Sequence, residues 1–414
     1  MILLFLTSGL FLGWSLGAND ASNAFGSAVG SRMVSFRKAA IIASIAVIFG
    51  AVLQGSGGSQ TLGKLGSINA LGGSFTVALA SAVTVYMMTK FALSVSTTQA
   101  IVGAIIGWNL FTGNNTDTKT LEQILITWVS GPVLGAVFAI ILFIVLIKIK
   151  RSASIHLIRF ESWMRSGLII AGAMAAYGLG ANNIANVMGV FVPAFNLTDL
   201  DLGIFSLNSA QQLFLIGGIA IASGILTYSK KVMQTIGGNI MELSSEAALV
   251  VVLAQSLVLF IFSSSALSDF LVKTGLPPIP LVPVSSSQVV VGCILGLGLY
   301  KGVNNINFKI LRDIGLGWIA TPIASGLLAF FSLFFMKNIF GINVGSKAGE
   351  GAGPDIQITN PAIYGGADLS GIFKYLLLGL LIFGTVGISY YLLLERKKRR
   401  ETQRSEAIFW KNIK

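Results

Sequence analysis

Long apolar stretches alternate with short polar connections along most of the chain. A helix needs about 20 apolar residues to cross the hydrocarbon core of a bilayer, and eleven stretches approach or exceed that length. They are Ile2–Ala28, Ala39–Leu53, Ser74–Lys90, Val95–Phe111, Ile124–Ile147, Gly167–Phe195, Gln211–Tyr228, Leu243–Ala266, Val284–Tyr300, Ile314–Phe335 and Ile372–Leu394. The pattern predicts an all-α polytopic membrane protein.

The composition excludes the other broad classes of protein. Only 11% of the 414 residues are charged and 54% are hydrophobic, whereas soluble domains carry about 25% charged residues. A chain so rich in apolar residues is not disordered either. One cysteine and one histidine cannot form an intrachain disulfide or a zinc site from those ligands.

Basic residues gather in five places, and the other connections are poor in them. Because cytoplasmic loops carry the excess of Lys and Arg, the basic connections are predicted inside and the others outside. The net charge of +12 is then explained by the orientation of the chain in the membrane and by contact with anionic lipid. No binding of nucleic acid is expected. We therefore expect a multi-pass protein of the plasma (inner) membrane with a cytoplasmic C-terminus. The basic groups are Arg32–Lys38, Lys148–Arg165, Lys230–Lys231, Lys301–Arg312 and Arg396–Arg400.

The second half of the chain repeats motifs of the first half in the same order. The pairs are Ser15–Gly30 with Gly178–Pro193, Ser96–Leu110 with Ser285–Leu299, and Trp128 and Pro132 with Trp318 and Pro322. The numbering offset grows from 163 to 189 and then to 190, which predicts an insertion between the first two motifs of the second copy. Five apolar stretches precede the basic connection after Lys148, so a second copy would be inserted upside down, as in many secondary transporters.

This duplication predicts the organisation of the whole chain. Two inverted-topology repeats of about five membrane segments, with broken or re-entrant helices, are followed by one extra C-terminal segment. The predicted parts are a first repeat (1–150), a basic cytoplasmic linker (151–165), a second repeat (166–338), an outer Gly-rich loop (339–371), a final membrane helix (372–394) and a basic cytoplasmic tail (395–414).

The first motif pair places amides and one carboxylate inside apolar segments. As a continuous helix, Ile2–Ala28 would be about 40 Å long, against a hydrocarbon core of about 30 Å. We therefore expect the helix to break at Gly17 and to expose backbone groups that coordinate ions. The alternative is that these side chains only cap a helix near the interface. The polar residues are Asn19, Asp20 and Asn23 in the first copy, and Asn182, Asn183 and Asn186 in the second.

The second motif pair places hydroxyl groups where helices are predicted to begin. Hydroxyls and free N–H groups at a helix N-terminus form an anion site, although ordinary N-capping is the alternative. None of the four motifs contains Lys or Arg, so a bound anion requires cations, which prefer carboxylate, amide and hydroxyl oxygens as ligands. The expected anion-binding residues are Ser96, Thr97, Thr98, Gln99, Ser285, Ser286, Ser287 and Gln288, with Asn23 and Asn186 nearby.

The paired motifs resemble those of a known family. GANDASNAFGSAVGS with GANNIANVMG, and VSTTQAIVGAIIG with VSSSQVVVGCILG, look like the duplicated motifs of the PiT-type inorganic phosphate transporters. The resemblance runs from about Gly9 to Pro322. It implies a secondary transporter with inverted repeats, which moves inorganic phosphate with a coupling cation, sodium or proton according to the member.

Three features depart from that family's pattern. Asn183 stands where many members have Asp, Gln99 and Gln288 stand where members often have His, and Val47 stands where many eukaryotic members have Glu. The loss of titratable groups favours sodium over proton coupling. We therefore expect sodium ions, and no other cofactor, at a set of carboxylate and amide side chains: Asp20, Asn19, Asn23, Asn182, Asn183 and Asn186.

Two other functions fit parts of the sequence. A transporter or channel for another oxyanion, such as sulfate, could use the same hydroxyl and amide groups. A membrane enzyme acting on lipid phosphate would usually need a nucleophile or an acid–base pair, and the motifs offer one Asp and no His. We therefore expect a carrier without catalytic residues, and a homo-oligomer is compatible with the sequence.

Overall fold

The computed structural model describes residues 2–90, 95–152, 157–195, 197–201, 206–230, 232–233, 243–302 and 307–346. The chain divides into two compact units, residues 1–356 and 357–414, and all described residues lie in the first. The predicted final membrane helix over 372–394 and the basic tail over 395–414 lie outside the described residues, as does the predicted outer loop beyond residue 346.

Helices make up nearly all of the described structure. They are α1 (Ile2–Gly30), α2 (Phe36–Gln54), α3 (Ser56–Leu65), α4 (Leu71–Lys90), α5 (Thr97–Thr112), α6 (Thr118–Ser152), α7 (Leu157–Met188), α8 (Ser209–Thr227), α9 (Ser245–Ser263), α10 (Ser265–Lys273), α11 (Ser286–Lys301) and α12 (Phe308–Asn338). A 3₁₀ helix (Gly189–Ala194) and an antiparallel pair of two-residue strands, β1 (Leu200–Asp201) and β2 (Ser206–Leu207), connect α7 to α8. Seven helices in the described part are long and apolar enough to cross a membrane, which confirms the predicted all-α membrane fold.

The helix that carries the first motif does not break at Gly17. α1 continues without interruption over 29 residues, and α7 passes through the second copy of the motif in the same way. A Cβ atom at Gly17 would overlap the main chain of Ile221, where α1 crosses α8. The expected break is therefore wrong, because this glycine allows two helices to approach closely instead of interrupting one of them.

The helices are interrupted in front of the second motif pair. The stretches Val95–Phe111 and Val284–Tyr300, predicted as membrane-spanning segments, each contain a helix of only 16 residues. Such a helix is about 24 Å long, shorter than the hydrocarbon core of about 30 Å. Residues 95–96 and 276–285, which precede α5 and α11, are not helical. The residues that begin both short helices, Ser96–Thr97 and Ser285–Ser286, are at most 2% exposed, so these N-termini lie inside the protein.

The helices of the two halves, α1–α6 and α7–α12, pair crosswise. α1 packs on α8 as α7 packs on α2, and α5 packs on α12 as α11 packs on α6. Glycines mark both pairs of crossings with the same relative numbering. Gly17 meets the main chain of Ile221 as Gly180 meets that of Val47, and Gly50 meets that of Tyr177 as Gly224 meets that of Trp14.

These contacts set the correspondence between the halves. Corresponding residues differ in number by 163 between α1 and α7 and by 174 between α2 and α8. The order of buried and exposed residues along α4 recurs in α9, again with a difference of 174. The additional residues of the second half therefore lie in two places, before α8 and between α9 and α11. The predicted repeat boundaries, and the inverted insertion of the second repeat, stay predictions.

Gly17→Ala tests the role of the glycine crossing. In an unconstrained helix interior this change stabilises by roughly 0.5–1 kcal/mol. Here the new methyl group would overlap the carbonyl of Ile221, at a cost of about 1–3 kcal/mol. We expect a lower midpoint of thermal unfolding in detergent micelles. Gly315→Ala on α12 is the matched control, because no described atom lies within 4 Å of a Cβ there. A Gly17→Ala variant that unfolds at a higher temperature than the parent would contradict this role.

Candidate functional site

The four motifs form one buried polar cluster. α1 and α7 pack against each other, and hydrogen bonds join their amide side chains to the starts of α5 and α11. Every predicted site residue is at most 6% exposed: Asn19, Asp20, Asn23, Ser96, Thr97, Thr98, Gln99, Asn182, Asn183, Asn186, Ser285, Ser286, Ser287 and Gln288. Side chains that are far apart in the sequence thus share one polar region inside an apolar protein.

α5 and α11 begin with the same cap. The hydroxyl oxygen of Ser96 accepts a hydrogen bond from the backbone N–H of Gln99 at 3.2 Å, and that of Ser285 accepts one from Gln288 at 3.3 Å. The capping interpretation therefore holds for these two serines. The first N–H groups of a helix have no intrahelical acceptor, so each short helix presents N–H groups and the positive end of its dipole to the cluster.

Amide side chains of each half hold hydroxyl groups of the other half. Asn23 Nδ2 on α1 donates to Ser286 Oγ on α11 at 3.2 Å. Asn186 Nδ2 on α7 donates to Thr98 Oγ1 on α5 at 2.9 Å. The residues predicted to contact an anion are therefore linked across the two halves by direct hydrogen bonds.

The non-helical residues before α5 and α11 are also tied across the halves. Ser287 Oγ donates to the carbonyl of Val95 at 2.9 Å, and Thr98 Oγ1 donates to the carbonyl of Val284 at 3.5 Å. These two bonds correspond to each other at the offset of 189. Val95 and Val284 are not among the predicted site residues, although a valine precedes the serine in both copies of the motif.

Two of the predicted sodium ligands bind the main chain. Asn182 makes two hydrogen bonds to the main chain of the stretch before α11. Its Oδ1 accepts from the N–H of Val284 at 2.7 Å, and its Nδ2 donates to the carbonyl of Val282 at 3.2 Å. Asn19 makes the related bond in the first half, from Nδ2 to the carbonyl of Val95 at 3.4 Å. Both amides therefore position the starts of the short helices.

Asp20 is the only acidic or basic side chain that is buried among the described residues. Thr97 Oγ1 donates to its Oδ2 at 3.1 Å. Its other carboxylate oxygen, Oδ1, has no hydrogen-bond partner among the described residues. Asn183, its counterpart in the second half, keeps the shape without the charge, so the cluster has one carboxylate on the side of α1 and none on the side of α7.

Several oxygen atoms of the cluster accept no hydrogen bond from the described part of the chain. They are Oδ1 of Asp20, Asn183 and Asn186, and Oε1 of Gln99 and Gln288. Buried acceptors without donors are costly and rare, and a hard cation is a ligand that satisfies them, because it binds oxygen. The described residues include no group of three or more His, Cys, Asp or Glu that could hold a metal ion. The oxygens available to a cation here are therefore mainly those of amides and hydroxyls.

Known proteins resemble this chain along most of its length. It is similar to two proteins named "Putative phosphate permease". The one from Thermococcus kodakarensis is 25% identical, with 81% of this chain and 98% of the relative covered. The one from Methanocaldococcus jannaschii is 28% identical, with 78% and 94% covered. A solved structure described as "The sodium-dependent phosphate transporter" is similar with a TM-score of 0.63 and 21% identity, over 82% of this chain and 99% of that one. This last likeness shows a shared fold.

A sequence profile identifies the family. The profile of the phosphate transporter family matches residues 16–329, which is well over half of the chain. The matched region includes all of the predicted site residues, the four glycines of the helix crossings and both short helices. The chain therefore belongs to the phosphate transporter family.

Proposed function

We propose that this protein is a secondary active transporter that moves inorganic phosphate together with sodium by alternating access. The main support is the composition of the buried cluster. Helix N-termini and hydroxyl groups from both halves share it with one carboxylate and with oxygen atoms that lack hydrogen-bond donors. Such a cluster suits an anion and hard cations side by side. Membership of a transporter family also excludes the alternative of an enzyme acting on lipid phosphate.

Phosphate is proposed to bind where α5 and α11 begin. N–H groups at helix N-termini and hydroxyl side chains are donors that suit phosphate oxygens. Ser96 and Ser285 use their hydroxyl oxygens as acceptors in the caps, and Ser286 accepts from Asn23, so the protons of these three hydroxyls are candidates for direct contact with phosphate. The hydroxyls of Thr97, Thr98 and Ser287 already donate to Asp20, Val284 and Val95 and would exchange these acceptors for phosphate oxygens. The amides of Gln99, Gln288, Asn23 and Asn186 complete the proposed set.

Sodium is proposed to bind beside Asp20. A carboxylate and a phosphate repel each other strongly when both are buried, and cations between them turn this repulsion into attraction. Asp20 Oδ1, Asn183 Oδ1 and Asn186 Oδ1 are oxygens that accept no hydrogen bond within the described chain. Asn23 completes the proposed shell, while Asn19 and Asn182 contribute by holding the main chain around it.

Sodium is favoured over protons as the coupling ion. Gln99 and Gln288 stand where members of the family often have His, which would titrate near neutral pH. Asp20 is the only Asp or Glu of the four motifs. A structure of the same fold is described as sodium-dependent, which is consistent with this assignment.

The proposed membrane arrangement follows from the duplication. Two repeats, residues 1–150 and 166–338, would be inserted with opposite orientation in the plasma (inner) membrane, and the C-terminus would be cytoplasmic. The site would then lie where the repeats meet, as in other secondary transporters built from inverted repeats. Rocking of one repeat against the other would expose the site to each side in turn.

Phosphate uptake should follow a sodium gradient. In proteoliposomes at equal pH on both sides, we expect labelled phosphate to accumulate when sodium is imposed outside, because no histidine is present in the motifs to carry protons. A pH gradient without sodium should give no accumulation. Uptake that follows the pH gradient and ignores sodium would contradict sodium coupling. Inhibition by sulfate as strong as that by unlabelled phosphate would favour the other-oxyanion alternative.

Hydroxyl groups of both halves should contribute to phosphate affinity. A hydrogen bond to a charged partner is worth roughly 1.5–3 kcal/mol, so Thr98→Val or Ser286→Ala should weaken phosphate binding about tenfold or more. Matched controls are Thr84→Val and Ser81→Ala on α4, whose buried hydroxyls bond only to their own helix. Equilibrium binding of labelled phosphate to purified protein measures the effect. If only the α5 variant or only the α11 variant loses affinity, the site is not shared.

The variant Asp20→Asn distinguishes two roles of Asp20, that of a sodium ligand and that of a purely structural residue. Asn keeps the size and the capping ability of Asp but removes the charge, so phosphate binding should require a much higher sodium concentration. Asp117→Asn, at the exposed start of α6 where Asp117 accepts hydrogen bonds from Lys119 and Thr120, is the control. The measurement is phosphate binding against sodium concentration for the parent and both variants. Overlapping curves for all three would mean that Asp20 does not bind sodium.

A further inference from the structure

A cleft of about 570 Å³ opens on the side of the protein between α2, α7 and α9. All three helices are among those long and apolar enough to cross a membrane. The lining is mostly apolar, with Phe49, Leu53, Met174 and Phe260 as its largest aliphatic and aromatic residues and Tyr177 as its only phenol. Phe49 is 58% exposed and Met174 48% exposed, so the cleft is open at the outer surface of the protein.

The place that corresponds to this cleft by the helix pairing lies between α1, α4 and α8 and is filled by aromatic rings. There α1, α4 and α8 take the positions of α7, α9 and α2. Trp14 lies between Phe11, Tyr86 and Tyr228, with ring centroids 5.4–6.3 Å apart. Its indole N–H donates to Thr227 Oγ1 at 3.0 Å, which fixes the ring against α8.

Several substitutions at corresponding positions leave more room in the cleft. At the offsets of 163 and 174, Met174 corresponds to Phe11, Tyr177 to Trp14 and Phe260 to Tyr86. Leu53 and Gln54 correspond to Thr227 and Tyr228. The cleft therefore has an unbranched side chain in place of the ring of Phe11, a smaller ring in place of Trp14 and Gln54 in place of the ring of Tyr228, whereas Phe49 and Leu53 are larger than their counterparts Ser223 and Thr227. The helices around the two places correspond, but the side chains that line the cleft occupy less volume in total than those between α1, α4 and α8.

The chemistry of the cleft suits a hydrocarbon chain. None of its lining residues is charged. The hydroxyls of Ser256 and Ser263 donate to carbonyls of their own helix, Leu253 and Leu259, both at 2.8 Å. Serines bonded in this way present no unsatisfied donor to an apolar ligand. The volume is in the range of about 300–1,000 Å³ that is usual for ligand pockets.

We infer that this cleft binds one acyl chain of a bilayer lipid. The bound chain takes the space that Phe11, Trp14 and Tyr228 fill at the corresponding place between α1, α4 and α8, and it packs against α2 and α7 where Gly50 meets the main chain of Tyr177. This part of α7 lies little more than one turn before Asn182, which holds the stretch in front of α11. The lipid thus braces the helix that carries the second amide motif. This inference does not depend on which ions are transported.

Photo-crosslinking in a defined membrane tests the inference. The full-length protein is reconstituted in liposomes of phosphatidylethanolamine and phosphatidylglycerol that contain a phosphatidylethanolamine with a diazirine on one acyl chain. Crosslinked positions are mapped by mass spectrometry after illumination. We expect severalfold more adduct on Met174 and Tyr177 than on Ile319 of α12, which is 65% exposed and serves as the reference for ordinary lipid contact.

A variant in which larger side chains fill the cleft is the matched control for the parent protein. Combining Met174→Phe, Tyr177→Trp and Phe260→Tyr transfers the aromatic residues of the first half, and adducts on α7 should fall to the level of Ile319. Ala173→Leu, a single change in the lining, gives a second test if the triple variant does not fold. Adduct on the parent cleft equal to that on Ile319 would mean ordinary lipid contact only. Adduct below that level would mean that something other than lipid covers the cleft. Either result would overturn the inference.

Discussion

A main chain that leaves the helical conformation inside a membrane protein must find hydrogen-bond partners without water. Two stretches of this chain, before α5 and before α11, meet this constraint with side chains from both halves. The carbonyl of Val95 accepts from Asn19 and from Ser287, and Val284 is held by Asn182 and by Thr98. Separation of the halves would break the bonds from Ser287 to Val95 and from Thr98 to Val284. The position of the polar cluster, its burial and its shared character all follow from them.

The frame around these stretches depends on close helix crossings. α1 crosses α8, and α2 crosses α7, at glycines whose missing side chains let main chains touch. This brings the two continuous helices α1 and α7 near enough for their amides to reach the starts of the short helices. A continuous helix with inward-facing amides positions side chains more rigidly than a broken one, because its own backbone is fully hydrogen-bonded.

The two halves share this frame but differ in the side chains that it carries. Asp20 has a neutral counterpart in Asn183, so the cluster carries a carboxylate on one side only. Trp14, Phe11 and Tyr228 correspond to the smaller Tyr177, Met174 and Gln54 beside the cleft between α2, α7 and α9. The two halves thus share the same helix crossings, and differences in side chains make them chemically unequal. Buried oxygens without donors reduce stability, and a functional site is where a protein is expected to accept such a cost.

The sequence by itself determined the membrane class, the duplication and the residues of the polar cluster, because each of these is a property of residue type and order. Hydrophobic length, the repeated motifs and the scarcity of charge can be recognised without coordinates. The location of the helix breaks could not be recognised in this way. Gly17 is compatible with either a break or a crossing, and only the neighbouring Ile221, more than two hundred residues away in the chain, decides between them. In the same way, Asn182 offers the same amide to an ion or to the main chain, and its contacts with Val282 and Val284 depend on how α7 and α11 pack. Tertiary structure decided these points because they concern which atoms meet across the fold.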